Sequence, residues 1–137
     1  MRANSRLLAD RAAGWAWYPG RVADDDAAHQ ALAALRAETQ ARLDGLEREF
    51  RGIVESSGVA GTDDEHDPEG ATVAFERQHI ATLLGEARQR LAQIDQALTR
   101  LADGSYGRCA VCGQPIGAAR LAARPVTTTC IRCASRR

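Results

Sequence analysis

Residues 80–104 read IATLLGEARQRLAQIDQALTRLADG. Apolar or small side chains recur at Ile80, Leu84, Ala87, Leu91, Ile94, Leu98 and Leu101, in alternating steps of four and three over three heptads. That period places all seven on one narrow stripe of an α-helix, the pattern of a coiled-coil seam. Gly104 follows the last member as a C-terminal cap. Upstream, Asp67-Pro68-Glu69 supplies an N-cap, a proline at the first helical position and an acid in the first turn. A second helix is therefore expected from Pro68 to about Asp103. Ahead of it Asp24, Asp25 and Asp26 stand where the positive end of a helix dipole favours acids, and Ser56-Ser57-Gly58 is a stop. Between them Ala28, Leu32, Leu35, Thr39, Leu43, Leu46, Phe50 and Ile53 form another one-sided stripe. This predicts a first helix of roughly 30 residues and ~45 Å. A connection of about eight residues, Val59 to His66, lets two single-striped helices cover each other as an antiparallel hairpin. Leu83, beside the seam, and Phe75, near the turn, are expected to widen the contact.

The composition suits long helices. The chain has 137 residues, 45% hydrophobic but only 4% aromatic, with 18 basic and 18 acidic side chains. Small apolar residues bury little area each, so a thick core is not expected. Residues 1–23 hold Trp15, Trp17 and Tyr18, three of the six aromatics, and form an N-terminal arm, either frayed or packed on the rest of the molecule. The pair Leu7 and Leu8 is interrupted by Asp10 and Arg11, so neither a membrane span nor a secretory core is present there. The expected address is cytoplasmic, where cysteines serve as metal ligands more often than as disulfide partners.

Four cysteines follow the second helix, Cys109-x2-Cys112 and Cys130-x2-Cys133, with 17 residues between the pairs. Each pair sets two thiolates on one tight turn, and two such turns supply the four corners of a zinc site. Gly113 fits the turn after the second sulfur, which needs a residue tolerant of positive φ. Four thiolates fill the coordination shell of one structural zinc ion and leave no open position for catalysis. From Gly104 onward there are six arginines and no acid; Arg108, Arg120, Arg124 and Arg132 are the candidates for a basic face, and Arg108 and Arg132 also offset the thiolate charge. Neither a His-containing finger nor a long recognition helix accompanies them, so sequence-specific DNA binding is not expected. The fold class is mainly α: a long antiparallel two-helix coiled coil, 24–103, with a small C-terminal four-cysteine zinc-binding module, 104–137.

The turn of the hairpin is acidic. Asp63, Asp64, Glu65, Asp67 and Glu69 put five carboxylates within seven residues, in a tip spanning 62–71 at the far end from the cysteines. Such a cluster is ordinarily a solvated loop. On the end of a rigid rod it is also a shape suited to reaching into a partner.

Around the cysteines, Gly107-Arg108-Cys109, Cys112-Gly113-Gln114-Pro115-Ile116-Gly117 and Arg120-Leu121-x-Ala123-Arg124-Pro125 resemble the DksA/TraR family of bacterial transcription factors. The resemblance implies a protein that binds RNA polymerase, inserts its coiled-coil tip through the secondary channel and acts without binding promoter DNA. It also implies contacts from the tip residues Asp64, Asp67, Glu69 and Ala71. The family's Asp-x-x-Asp-x-Ala pattern is altered here: strict spacing gives His66, Glu69 and Ala71, and the competing register Asp64-x-x-Asp67 places Glu69 where the family has Ala. Some members help bind guanosine tetraphosphate with basic residues. This chain has Glu86 and Gln93 at the approximate helix positions and Ala134 after the last cysteine, with only Arg124 matching, which predicts weak or absent coupling to that nucleotide.

The alternative function is a zinc-stabilised protein–protein adaptor with no channel activity. An enzyme is not expected, because His29, His66 and His79 are scattered and no nucleophile–base pair, phosphate-binding glycine loop or open metal position accompanies them.

Overall fold

The computed structural model describes residues 20–59 and 68–136. Helix α1 spans Gly20–Val59, 40 residues, and α2 spans Pro68–Ala102, 35 residues. At 1.5 Å per residue they extend about 60 and 52 Å. Two short helices, α3 (Ala118–Ala123) and α4 (Ile131–Ala134), belong to the C-terminal segment. Among the described residues there is no strand, only an isolated antiparallel bridge between Arg108 and Pro115.

Helices α1 and α2 pack antiparallel along their stripes. Near the base Leu32, Ile94 and Ala97 are fully buried, with Leu35, Leu98 and Leu101 against them. Farther out Leu43, Leu46, Ile80, Leu84 and Ala87 form a second cluster, flanked by Phe50, Ile53, Leu83 and Leu91. Every stripe residue anticipated on either helix is buried or half-buried. Thr39 lies in the seam between the clusters, and its hydroxyl donates to Leu35 O at 2.7 Å, so the buried oxygen is not left unpaired. Two ion pairs flank the seam, Arg36 Nε to Asp95 Oδ1 at 2.7 Å and Arg88 Nη2 to Glu47 Oε1 at 2.9 Å. Both are half-exposed, so they add specificity of register more than stability.

Three expectations are corrected. The first helix is 40 residues rather than roughly 30, and it begins at Gly20, so the last four residues of the expected arm 1–23 are helical. Acids favour a helix start but do not define it, and Arg21, Val22 and Ala23 carry nothing that breaks a helix; the rest of the arm, Trp15 and Trp17 included, lies outside the described residues. Phe75 does not widen the seam: it is 73% exposed, because its position falls off the stripe that meets α1. Finally, Ala97, fully buried beside Ile94, went unanticipated, since an alanine gives no contrast in a stretch already rich in alanine.

Helix α2 ends in a Schellman motif. Gly104 has φ +77°, Ser105 N donates to Arg100 O at 2.9 Å and Gly104 N to Leu101 O at 3.3 Å. Asp103 accepts from the Ser105 amide and hydroxyl, which holds its carboxyl below the usual carboxylate range. The cap turns the chain so that Tyr106 packs back onto the Leu32–Ile94 cluster together with Val126. The Tyr106 hydroxyl donates to Pro125 O at 2.8 Å, and Arg100 Nη2 to Val126 O at 3.3 Å. These contacts seat the C-terminal segment on the base of the rod.

Truncation of Ile94 to Ala should cost about 2–5 kcal/mol in urea unfolding, because a filled site becomes a cavity. Asp95→Asn, one residue along but half-exposed, should cost less than about 1 kcal/mol. Burial raises the Tyr106 phenol above its ordinary 10.0. The folded state therefore favours the neutral form, and that contribution is complete below the ordinary value and lost as pH rises through the raised one. Tyr106→Phe should cost about 1 kcal/mol at neutral pH and flatten the alkaline decline in stability relative to the unmodified chain.

Candidate metal centre and contact surfaces

The first cysteine pair sits on a narrow knuckle. Ile116 N donates to Gly107 O at 2.7 Å, Cys109 N to Gln114 O at 2.9 Å and Gly113 N to Cys109 O at 2.8 Å. The reversal is completed by Gly113 at φ +69°, the backbone conformation anticipated for it. The second pair is built on a helix start: Cys130 precedes α4 in extended conformation, and Cys133 lies on α4 less than one turn later. Ala110 N donates to Thr128 O at 2.8 Å and Cys130 N to Cys109 Sγ at 3.3 Å, stitching the halves together.

All four Sγ atoms lie within 4.8 Å of one another. A tetrahedral site with metal–sulfur bonds of about 2.3 Å has sulfur–sulfur edges of about 3.8 Å, and Cys112 Sγ stands 3.8 Å from Cys130 Sγ. The donor set and its spacing therefore fit zinc. Electrostatics agrees with a centre designed around a cation. Backbone N–H groups of Cys130 and Cys112 hold the Cys109 thiol down at about 6, and that of Cys133 lowers Cys130. Crowding by the Cys112 and Cys130 sulfurs pushes Cys133 up to about 12. Four thiolates this close repel one another unless a dication sits among them. Beneath them Ile116 and Leu121 are the only apolar side chains in the cluster besides the cysteines, too little to hold the segment by burial alone.

The arginines divide into two groups. Arg108, Arg124 and Arg132 are exposed, as a basic face requires. Arg120 is not: its Nε donates to Thr129 O at 2.8 Å from a half-buried position. It ties α3 to the loop before Cys130, a local task the sequence did not disclose. Arg124 faces α2 instead of standing alone. With Thr127 and Thr128 it lines a polar cleft of about 630 Å³ whose opposite wall is Arg90, Gln93 and Gln96. Arg90 was missed because it lies one turn from the positions compared. Val111, between the first two ligands, and Ile131, directly after the third, are 65% and 66% exposed.

Of the tip residues, Asp64 and Asp67 lie outside the described segments. Glu69 is the second residue of α2, so 68–71 is helix rather than loop, and Ala71 is exposed. Leading away from the metal centre, the last of the described residues carrying a buried side chain are Leu46 and Ile80. No helix among the described residues is long and apolar enough to cross a membrane.

Comparison with known proteins follows the same division. Residues 104–137 match the model of the prokaryotic dksA/traR C4-type zinc finger. The RNA polymerase-binding transcription factor DksA of Caulobacter vibrioides is 51% identical over 49 residues, 36% of this chain and 34% of that protein, so the match spans about a third of that relative's length. General stress protein 16O of Bacillus subtilis is 30% identical over 89 residues, 64% of this chain and 55% of that protein. The solved structure of transcription factor DksA2 from Pseudomonas aeruginosa superposes with a TM-score of 0.73 at 36% identity, over 83% of this chain and 82% of that one. That likeness takes in both helices as well as the cysteine module, and with it the chain belongs to the DksA/TraR family of four-cysteine zinc-finger proteins.

Proposed function

We propose that this chain is a bacterial transcription regulator that binds RNA polymerase and presents the end of its hairpin inside the enzyme's secondary channel, without sequence-specific DNA contact. The observation that carries the proposal is a rod of two helices of about 52 to 60 Å with a basic module at one end, joined at the other by a connection whose sequence, with the start of α2, holds five carboxylates. A slender rod with an acidic sequence at its turn has a shape suited to entering a narrow passage. A charge axis of this kind also orients the approach and makes binding weaken with salt. The 36% identity to DksA2 over most of the chain supports the same function.

In this proposal Asp64, Asp67, Glu69 and Ala71 are the contacting tip. Cys109, Cys112, Cys130 and Cys133 hold one zinc ion, which supplies cross-links rather than chemistry, since four thiolates saturate it. Arg108, Arg124 and Arg132 form the basic face. Coupling to guanosine tetraphosphate is weak in this proposal, because Glu86 and Gln93 stand at the approximate positions where some members carry basic residues and Ala134 follows the last cysteine, although Arg90 joins Arg124 in lining the cleft. The exposed Val111 and Ile131 favour the adaptor as the second function, with the module and not the tip as its working surface.

Replacement of Asp67 and Glu69 by Asn and Gln separates the two. A channel regulator should keep its affinity for core polymerase within a few-fold while losing its effect on open-complex lifetime; an adaptor should lose neither. Absence of any association with core polymerase at micromolar concentration would overturn both the channel role and its partner. Chelation should abolish amide-exchange protection in 107–136 first and leave the hairpin seam protected, because the module has almost no apolar mass of its own. Unchanged protection after chelation removes the zinc assignment.

A further inference from the structure

The outward face of α2 near its start is bare of charge. Ala71, Thr72, Phe75, Gln78, His79 and Thr82 are all exposed, and none of them is Asp, Glu, Lys or Arg. With 3.6 residues per turn, positions 71, 75, 78 and 82 follow one line along the helix over about 17 Å, with 72 and 79 beside it. The line lies opposite the seam, since Phe75 is about 200° around the helix from the half-buried Val73, which continues the stripe one heptad before Ile80. Across the outer part of α1, by contrast, Arg48, Glu49, Arg51 and Glu55 are all exposed. In a chain of which 26% is charged, the strip on α2 stands apart from the surface around it.

A spacing of i, i+4, i+7 and i+11 on one face is how a helix lies in a groove of its partner. Depletion of charge around an aromatic is also what sets the centre of a protein interface apart from ordinary surface. Phe75 is 73% exposed and is the only exposed aromatic among the described residues. Folding therefore makes almost no use of its apolar area. The border of the strip is acidic: Glu76 lies about 100° around the helix from Phe75, and Glu86 stands one turn beyond Thr82, both exposed. The complementary surface is an apolar groove with cationic side chains along its edge. Self-association through this face does not supply one, because a second copy brings the same acids and no cation. Helix α2 begins at Pro68, about 10 Å before Phe75, so a rod that enters a passage by its turn carries the strip in with it.

We propose that this face of α2, centred on Phe75, docks in an apolar, basic-edged groove on the wall of the polymerase channel. The inference rests on the reading of the chain as a channel regulator and divides the labour of its outer end. Phe75 supplies affinity by burying an aromatic side chain that the hairpin leaves in water, and the acids of the turn supply the effect on the enzyme.

Titration of core polymerase with the zinc-loaded full chain at fixed salt tests this division. Phe75→Ala should weaken the affinity about tenfold or more. Thr82→Lys, which sets a charge in the strip two turns away, should weaken it as well. Both variants should keep their helical circular dichroism and zinc content, because neither side chain belongs to the seam clusters. Both should also reach the unmodified effect on open-complex lifetime once saturating, and Phe75→Leu should recover most of the lost affinity. Unmodified binding by an intact Phe75→Ala overturns this inference alone, as does a lost effect at saturation with affinity unchanged. A concentration-dependent doubling of mass that Phe75→Ala abolishes overturns it too, since the occupant is then a second copy. Failure of the unmodified chain to associate with core polymerase overturns the channel reading and this inference with it.

Discussion

Neither long helix can stand alone in water, because each carries one apolar stripe and has only its partner to cover it. The contact of Leu32 with Ile94 and Ala97, and of Leu43 and Leu46 with Ile80, Leu84 and Ala87, is therefore the constraint from which the rest follows. It forces the antiparallel arrangement and sets the register that the Arg36–Asp95 and Arg88–Glu47 pairs then match. It also sets Ala97 level with Leu32, so that α2 ends at Ala102 a little more than a turn beyond, where the module is attached. The zinc centre does not create this layout. It gives a short segment poor in apolar side chains a fixed shape on an end that the seam has already positioned.

The molecule is built unevenly along its length. At the base three kinds of interaction converge: the fully buried Leu32 and Ile94, the Schellman cap at Gly104, and the hydrogen bonds of Tyr106 and Arg100 to the 125–126 backbone. Beyond Leu46 and Ile80 no described residue is fully buried, and Gly52, Gly58 and Gly70 have open space where a side chain would stand. Glycine weakens a helix by about 1 kcal/mol relative to alanine, and no packing at these positions offsets it. The end proposed to touch a partner is thus the end with the least internal support, a distribution that suits contact surfaces.

Most of this architecture is legible in the chain because two periodic signals are strong. The four-three spacing from Ile80 to Leu101 defines a face whatever the neighbours are, and all of its residues are at least half-buried. The doubled C-x2-C spacing brings four sulfurs together with little dependence on the intervening residues. What escaped detection depends on distances that no local pattern encodes. The first turn of α1 lacks a distinctive start, Ala97 is indistinguishable from its many fellow alanines, and Arg120 looks like any surface arginine until Thr129 O is found beside it. Arg90 and Arg124 are 34 residues apart in the chain, and only the docking of the module on α2 brings them to one cleft.

The Tyr106 anchor has a geometric consequence. A rigid beam pivoting where it meets its mount magnifies any change of angle, and over about 50 Å of helix a tilt of about 5° displaces the free end by roughly 4 Å. A hydroxyl held at 2.8 Å from a backbone carbonyl is thus a bearing whose play is multiplied at the opposite extremity. Side chains that never approach a partner can in this way set where the business end points.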